Sequence, residues 1–120
     1  MQIISEVKDS IDFIRISGRV VHDGSLFRLR EHVLYQIENG IRRFVIDISE
    51  VPHFDSAGCG EVISAHTSVV RAKGALAFVK PTERVRLLWG WTKIGAVLHV
   101  FDSLDEAREF VLQITKSAGY

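Results

Sequence analysis

The chain has 120 residues, enough for one domain with one hydrophobic core. Fifteen lysines and arginines balance fifteen aspartates and glutamates, which speaks against broad electrostatic attraction to nucleic acid or to an anionic membrane. No apolar run approaches the ~20 residues that span a bilayer, and the single cysteine, Cys59, excludes an intrachain disulfide and suits a reducing compartment.

Residues 2–7 alternate as a short strand, with no basic segment leading into an apolar run. No secretory signal is evident, and a cytoplasmic protein without membrane insertion is expected. Lys8, Asp9 and Ser10 form a turn, and 11–17 alternates again. Ile11, Phe13 and Arg15 fall on one side there and Ile14 and Ile16 on the core side, so the two runs suit a hairpin. Glycines bound a loop at 18–24. Residues 25–38 carry Leu26, Leu29, Val33 and Ile37 at spacings of three and four, the stripe of an amphipathic helix. Ser25 is placed to cap its start and Asn39-Gly40 to close it. Residues 42–48 form a strand in which Phe44, Ile46 and Ile48 share one face and Val45 and Asp47 the other, and Pro52 stops it. The helix expected at 57–71 should bury Cys59, Val62, Ile63, Val69 and Val70 and turn Glu61, Ser64 and Ser68 outward, beside Ser56.

Lys73-Gly74 ends that helix, 75–79 reads as a strand, and Lys80-Pro81 turns the chain. Thr82 caps a helix bearing Val85, Leu88 and Trp89, with Gly90 fraying its end so that Trp91 and Thr92 fall in a terminal turn. Residues 96–101 read as the last strand. Ser103 and Glu106 have capping-box spacing, and Leu104, Ala107, Phe110, Val111 and Ile114 form the apolar face of the last helix. The ordered core is expected over 1–114, with 115–120 as a tail. This alternation predicts an α/β domain. A helix linking consecutive strands of one sheet makes them parallel, with a right-handed crossover, so the sheet is small, mostly parallel and packed against about four helices.

The residues that carry chemistry lie at 53–64. Asp55 and Ser56 are N-cap residue types placed where a strand hands over to a helix. The first N–H groups of a helix lack intrahelical acceptors and its dipole is positive there, so negative charge is favoured. A serine at this point either caps the helix or receives a phosphate, which adds about −1.5 to −2 charges. Gly58 and Gly60 each cost about 1 kcal/mol of helix propensity against alanine, which points to close backbone approach near the cap. His53, Asp55 and Ser56 supply the residue types of a catalytic triad. A triad, however, needs an imidazole within ~3 Å of the hydroxyl and a carboxylate behind it, which residues of one turn rarely provide. There is no Gly-x-Ser-x-Gly elbow either, and no enzymatic activity is expected. Cys59 and the five histidines (His22, His32, His53, His66 and His99) lack metal-ligand spacing, and Gly58-Cys59-Gly60 lacks the lysine and length of a P-loop. No metal and no cofactor is therefore expected. His66 reads as a satisfied core-edge histidine, Cys59 as an inert core thiol, and Trp89 and Trp91 as helix-to-core packing, with one of the two at a partner surface as the lesser reading.

The run Ile46-Asp47-Ile48-Ser49-Glu50-Val51-Pro52-His53-Phe54-Asp55-Ser56-Ala57-Gly58-Cys59-Gly60 resembles the central motif of STAS domains, and among them the bacterial anti-sigma factor antagonists. Ala72-Lys73-Gly74-Ala75, Pro81-Thr82-Glu83-Arg84-Val85-Arg86-Leu87-Leu88 and Val100-Phe101-Asp102-Ser103-Leu104-Asp105-Glu106-Ala107 also match, so the resemblance covers nearly the whole chain. It implies one STAS-type domain over 1–120, with helices mainly over one face of the sheet. It also implies a partner switch. The unphosphorylated protein binds an anti-sigma factor that is itself a serine kinase; phosphorylation of Ser56 releases it, and a phosphatase resets the cycle. His53, Asp55, Ser56, Ala57, Gly58, Gly60, Glu61 and Ser64 are then the expected partner-binding residues, with His22 and Asp23 contributing from the preceding loop. The chain departs from the family pattern in that loop. Val21 stands where an aspartate is usual, with Asp23 two residues later, and Arg19 stands where an acidic residue is common. Cys59 and Glu61 also occupy positions that are usually aliphatic. A second reading compatible with the resemblance is a STAS adaptor that does not switch, such as an accessory subunit of a lipid-transporting ABC system or of a signalling scaffold.

Overall fold

The structure, a computed structural model, describes residues 1–117. Five strands and four helices alternate in the expected order: β1 (Gln2–Lys8), β2 (Ile11–Ser17), α1 (Arg28–Glu38), β3 (Arg43–Glu50), α2 (Ser56–Arg71), β4 (Ala75–Val79), α3 (Glu83–Trp91), β5 (Val100–Phe101) and α4 (Leu104–Ser117). One sheet carries the strands in sequence order. β1 and β2 form an antiparallel hairpin, and every later pair is parallel. Asp9 and Ser10, at φ 54° and 64°, make the two-residue turn of the hairpin. Two left-handed residues match the twist of the flanking strands.

Side-chain alternation sorts the sheet into two faces. Ile14 and Ile16 of β2, Phe44, Ile46 and Ile48 of β3 and Leu76 and Phe78 of β4 pack beneath Leu29 and Val33 of α1, Val62, Ala65 and Val69 of α2 and Val85 and Trp89 of α3. On the other face Ile11, Val45, Ala75, Ala77 and Val79 meet Ala107 and Val111 of α4. Three helices therefore cover one face and one covers part of the other. β4, enclosed from both sides, is buried at all five residues. Beyond Ile11 the α4 side leaves β1 and β2 uncovered, and an open groove of about 460 Å³ runs there, lined by Ile4, Glu6, Lys8, Phe13, Arg15 and Leu104 among others.

Several expectations are corrected. Ser25 does not cap α1: its N–H and its hydroxyl both donate to Asp23 Oδ1, and the helix begins three residues later behind Phe27. The last strand is two residues long, because Ile94–Ala96 winds into a 3-10 turn before it. α3 continues through Gly90 to Trp91. In α2 the buried stripe runs through Val62, Ala65 and Val69, which leaves Val70 53% exposed. α4 lies mainly over β3, β4 and β5, so its buried stripe narrows to Ala107, Val111 and Thr115, and Leu104 and Ile114 stay at the surface. The helix passes the expected start of the tail and ends at Ser117; residues 118–120 of that tail lie outside the described residues. Asp12, a charged residue in β2, is wholly buried, with His32 Nε2 at 2.8 Å and Gln36 Nε2 at 3.0 Å from its Oδ2.

Candidate functional site

Beyond β3 the chain stays alongside the loop that follows β2. Gly18 N–H donates to Glu50 O (3.0 Å), Val20 N–H to His53 O (3.0 Å) and Asp55 N–H to Val20 O (3.2 Å), with Val20 and Phe54 bridged in parallel. Both apolar side chains of that bridge are buried, so the two segments enter the core together. The pairing brings the 18–24 loop against the N-terminus of α2.

Asp55 is the N-cap of α2. Its backbone is extended, its Oδ1 accepts from Gly58 N–H at 2.7 Å, and its Oδ2 accepts from His22 N–H at 2.9 Å. These backbone donors, Gly58 first and then His22, hold its carboxyl below the usual carboxylate range. Asp55 directs both oxygens to backbone N–H groups and His53 Nδ1 has no partner, so His53, Asp55 and Ser56 do not assemble as a triad. Gly58 is where the loop comes closest: a Cβ there would lie 2.0 Å from Val20 O, whereas one on Gly60 would meet nothing within 4 Å. The expectation of close approach holds for the first glycine only.

Ser56 is the first residue of α2 and is exposed; with capping done by Asp55, its hydroxyl makes no hydrogen bond among the described residues. Ala57 and Ser64 are half-buried and Gly60 is exposed on the same helix. Cys59 is buried, which raises its thiol pKa as befits an unreactive side chain. Glu61, expected at the surface, is 8% exposed and turned towards α1, its Oε2 3.2 Å from Arg30 Nε. That guanidinium lies 5.1 Å from the centre of the Phe27 ring. Asp23 is held by Ser25, chiefly by the hydroxyl, which lowers its carboxyl pKa. His22 reaches the site through its backbone and is exposed.

His53 is half-buried, with Nδ1 enclosed and unpaired. It borders a groove of about 680 Å³ that continues over Thr82, Arg84, Leu87, Leu88 and Trp91. Trp89 packs in the core against Phe54 (5.1 Å) and Phe78 (5.4 Å), but Trp91 is 78% exposed, contrary to the expectation of core packing. Sequence reasoning overlooked α3 as a neighbour of this site. The available signal was Leu87 and Trp91, four residues apart and off the Val85-Trp89 stripe. His66 is half-buried with an unpaired Nδ1 and faces His99, ring centres 5.9 Å apart, rather than being satisfied as expected. Among the described residues no group of three or more His, Cys, Asp and Glu side chains could hold a metal ion.

Residues 2–107 match the family described as the STAS domain. The chain belongs to the STAS family. A relative from Thermotoga neapolitana, described as an anti-sigma factor antagonist homologue, is 28% identical over 75 residues, covering 62% of this chain and 66% of the relative's length. This STAS domain also superposes on the crystal structure of a Thermotoga maritima protein of the same description, with TM-score 0.82 and 19% identity over 91% of this chain and 93% of that one. The phosphorylated form of the Bacillus cell fate determinant SpoIIAA matches with TM-score 0.68 and 18% identity over 92% and 99%. At such identities the structural likeness is one of fold. No helix among the described residues is long and apolar enough to cross a membrane.

Proposed function

We propose that this STAS domain is a non-catalytic anti-sigma factor antagonist of the cytoplasm, switched by phosphorylation of Ser56. The observation that carries the reading is the exposed, unbonded hydroxyl at the start of α2, with capping left to Asp55. A kinase can take that hydroxyl without dismantling the helix terminus, and the positive end of the helix offsets part of the new charge. The unphosphorylated protein binds an anti-sigma factor with serine kinase activity over Ser56, Ala57, Gly60 and Ser64, where the bare Gly60 lets the other protein approach closely. His53, with the groove bearing Leu87 and Trp91, extends that surface. Phosphate on Ser56 then sets negative charge, beside the Asp55 carboxylate, into a desolvated contact and expels the kinase; a phosphatase restores binding. Glu61 supports the α1–α2 junction in this reading rather than meeting the kinase.

The test is incubation with ATP and candidate anti-sigma-factor kinases from the source genome, followed by mapping of phosphate by mass spectrometry. Labelling at Ser56 is expected, and labelling undiminished in Ser56→Ala would reject the site. Ser56→Asp should weaken the complex at least ~tenfold, about 1.4 kcal/mol, by calorimetry; unchanged affinity would argue against a switch. Co-purification of an ABC ATPase in place of a kinase would favour the adaptor role.

A further inference from the structure

The two edges of the sheet differ. β5 offers two residues, whereas β1 offers seven, with no proline, and the irregularity in the sheet lies away from it, between β2 and β3. Brevity, proline, bulges and charged side chains are the usual guards of an edge, and of these β1 has only Glu6 and Lys8, towards its turn end. Ile4 and Val7 on this strand are 69% and 47% exposed.

We propose that two copies of this chain join antiparallel through β1, about a twofold axis at Ile4, so that their five-stranded sheets become one continuous sheet. An axis normal to the sheet keeps every residue on its own face. Since side chains alternate, opposed residues must come from the same face, and the axis must pass through a residue. An axis at Glu6 sets two carboxylates opposite each other, which is destabilising. An axis at Ser5 sets Ile3 against Val7 of the partner subunit, but it sets Ile4, the most exposed aliphatic side chain of the strand, against the carboxylate of Glu6 of the partner subunit. An axis at Ile4 sets Ile4 against Ile4 of the partner subunit and Gln2 against Glu6 of the partner subunit. On the other face it sets Val7 against Met1 of the partner subunit. Ile3 falls opposite Ser5 of the partner subunit on that face, and Ile4 leaves water against its own copy.

The junction leaves both Ser56 hydroxyls free. The two copies of β3 stand five strand spacings apart, ~24 Å, and run in opposite directions, so the two Ser56 ends lie at opposite ends of the strands of the joined sheet.

A strand-to-strand junction of this size gives weak association, so sedimentation velocity should span micromolar to ~1 mM protein. A concentration-dependent dimer is expected. Ile4→Glu should weaken it at least ~tenfold, because like charges then meet on the axis, while circular dichroism and Tm stay those of the parent, since Ile4 is exposed. A monomer throughout the range, or a dimer indifferent to Ile4→Glu, overturns the proposal. Under mild oxidation Ile4→Cys should cross-link faster than Ser5→Cys, Cys59 being buried; the reverse order overturns the axis at Ile4.

Discussion

Asp55 uses both carboxylate oxygens on backbone N–H groups of Gly58 and His22, and Ser56 keeps its hydroxyl. Neighbouring residues of similar capping propensity thus have separate roles, one structural and one at the surface. The glycines beside them divide in the same way. Gly58→Ala forces a Cβ to within 2.0 Å of Val20 O and must push the loop off α2. We expect it to destabilise the fold by about 1–3 kcal/mol, the usual range for overpacking. Gly60→Ala meets nothing within 4 Å and should instead stabilise by about 0.5–1 kcal/mol through helix propensity. Urea unfolding of both variants checks the pair, and shifts of the same sign would refute this account of the loop contact. His22 amide protection from hydrogen exchange should fall in Gly58→Ala, since its N–H acceptor moves with the cap.

The helices are anchored to different degrees. α2 has a carboxylate cap, a buried stripe and the Glu61–Arg30 pair towards α1. α1 lacks a side-chain cap and is tied to the sheet by His32 and Gln36 at buried Asp12. α3 is tethered by Val85 and Trp89 and by its cap, where Thr82 Oγ1 accepts from Val85 N–H at 3.2 Å. Because Leu87 and Trp91 ride on α3, the shape of the groove next to His53 depends on that tether. Thr82→Ala should cost about 1 kcal/mol of stability. It should also change the emission of Trp91 more than that of core Trp89, read in single-tryptophan variants. An unaltered unfolding midpoint would show that the cap does not hold the helix.

Over the whole molecule, His66 of α2 and His99 before β5 join Phe110 of α4, with ring centres 5.9 Å and 4.4 Å apart in turn, and so connect helices from opposite faces of the sheet at its β5 edge. Burial lowers the pKa of both, and for His66 the nearby His99 lowers it further. A lowered folded-state value means that the unfolded chain takes up the proton more readily. Stability from this pair is therefore complete above the ordinary histidine value of about 6.5 and lost as pH falls through the lower folded values. Asp55 and Asp23 follow the same sign further down: their contribution is present above about 3.9 and lost as pH falls through their depressed values. Urea midpoints measured stepwise from pH 7.5 to 5 should fall, and His66→Gln should flatten that fall. An equal slope in parent and variant would refute the assignment.

The residues alone determined the order of strands and helices, the faces of β2 and β3, the start of α2 at Asp55-Ser56, the cap at Thr82 and the paired Ser103 and Glu106. Each of these rests on alternation, helical spacing or contacts within a few residues, which short stretches of chain encode. Only the tertiary structure decided that Asp55 also accepts from His22, that Asp23 is held by Ser25, that Glu61 turns inward to Arg30, that Asp12 is buried under His32 and Gln36, and that Trp91 faces water beside His53. Most of these join residues far apart in the chain, and all depend on which element settles against which. Periodicity says which side of a helix is apolar, whereas how much of that side is covered follows from the width of its neighbour, as the exposed Ile114 of α4 and Val70 of α2 show.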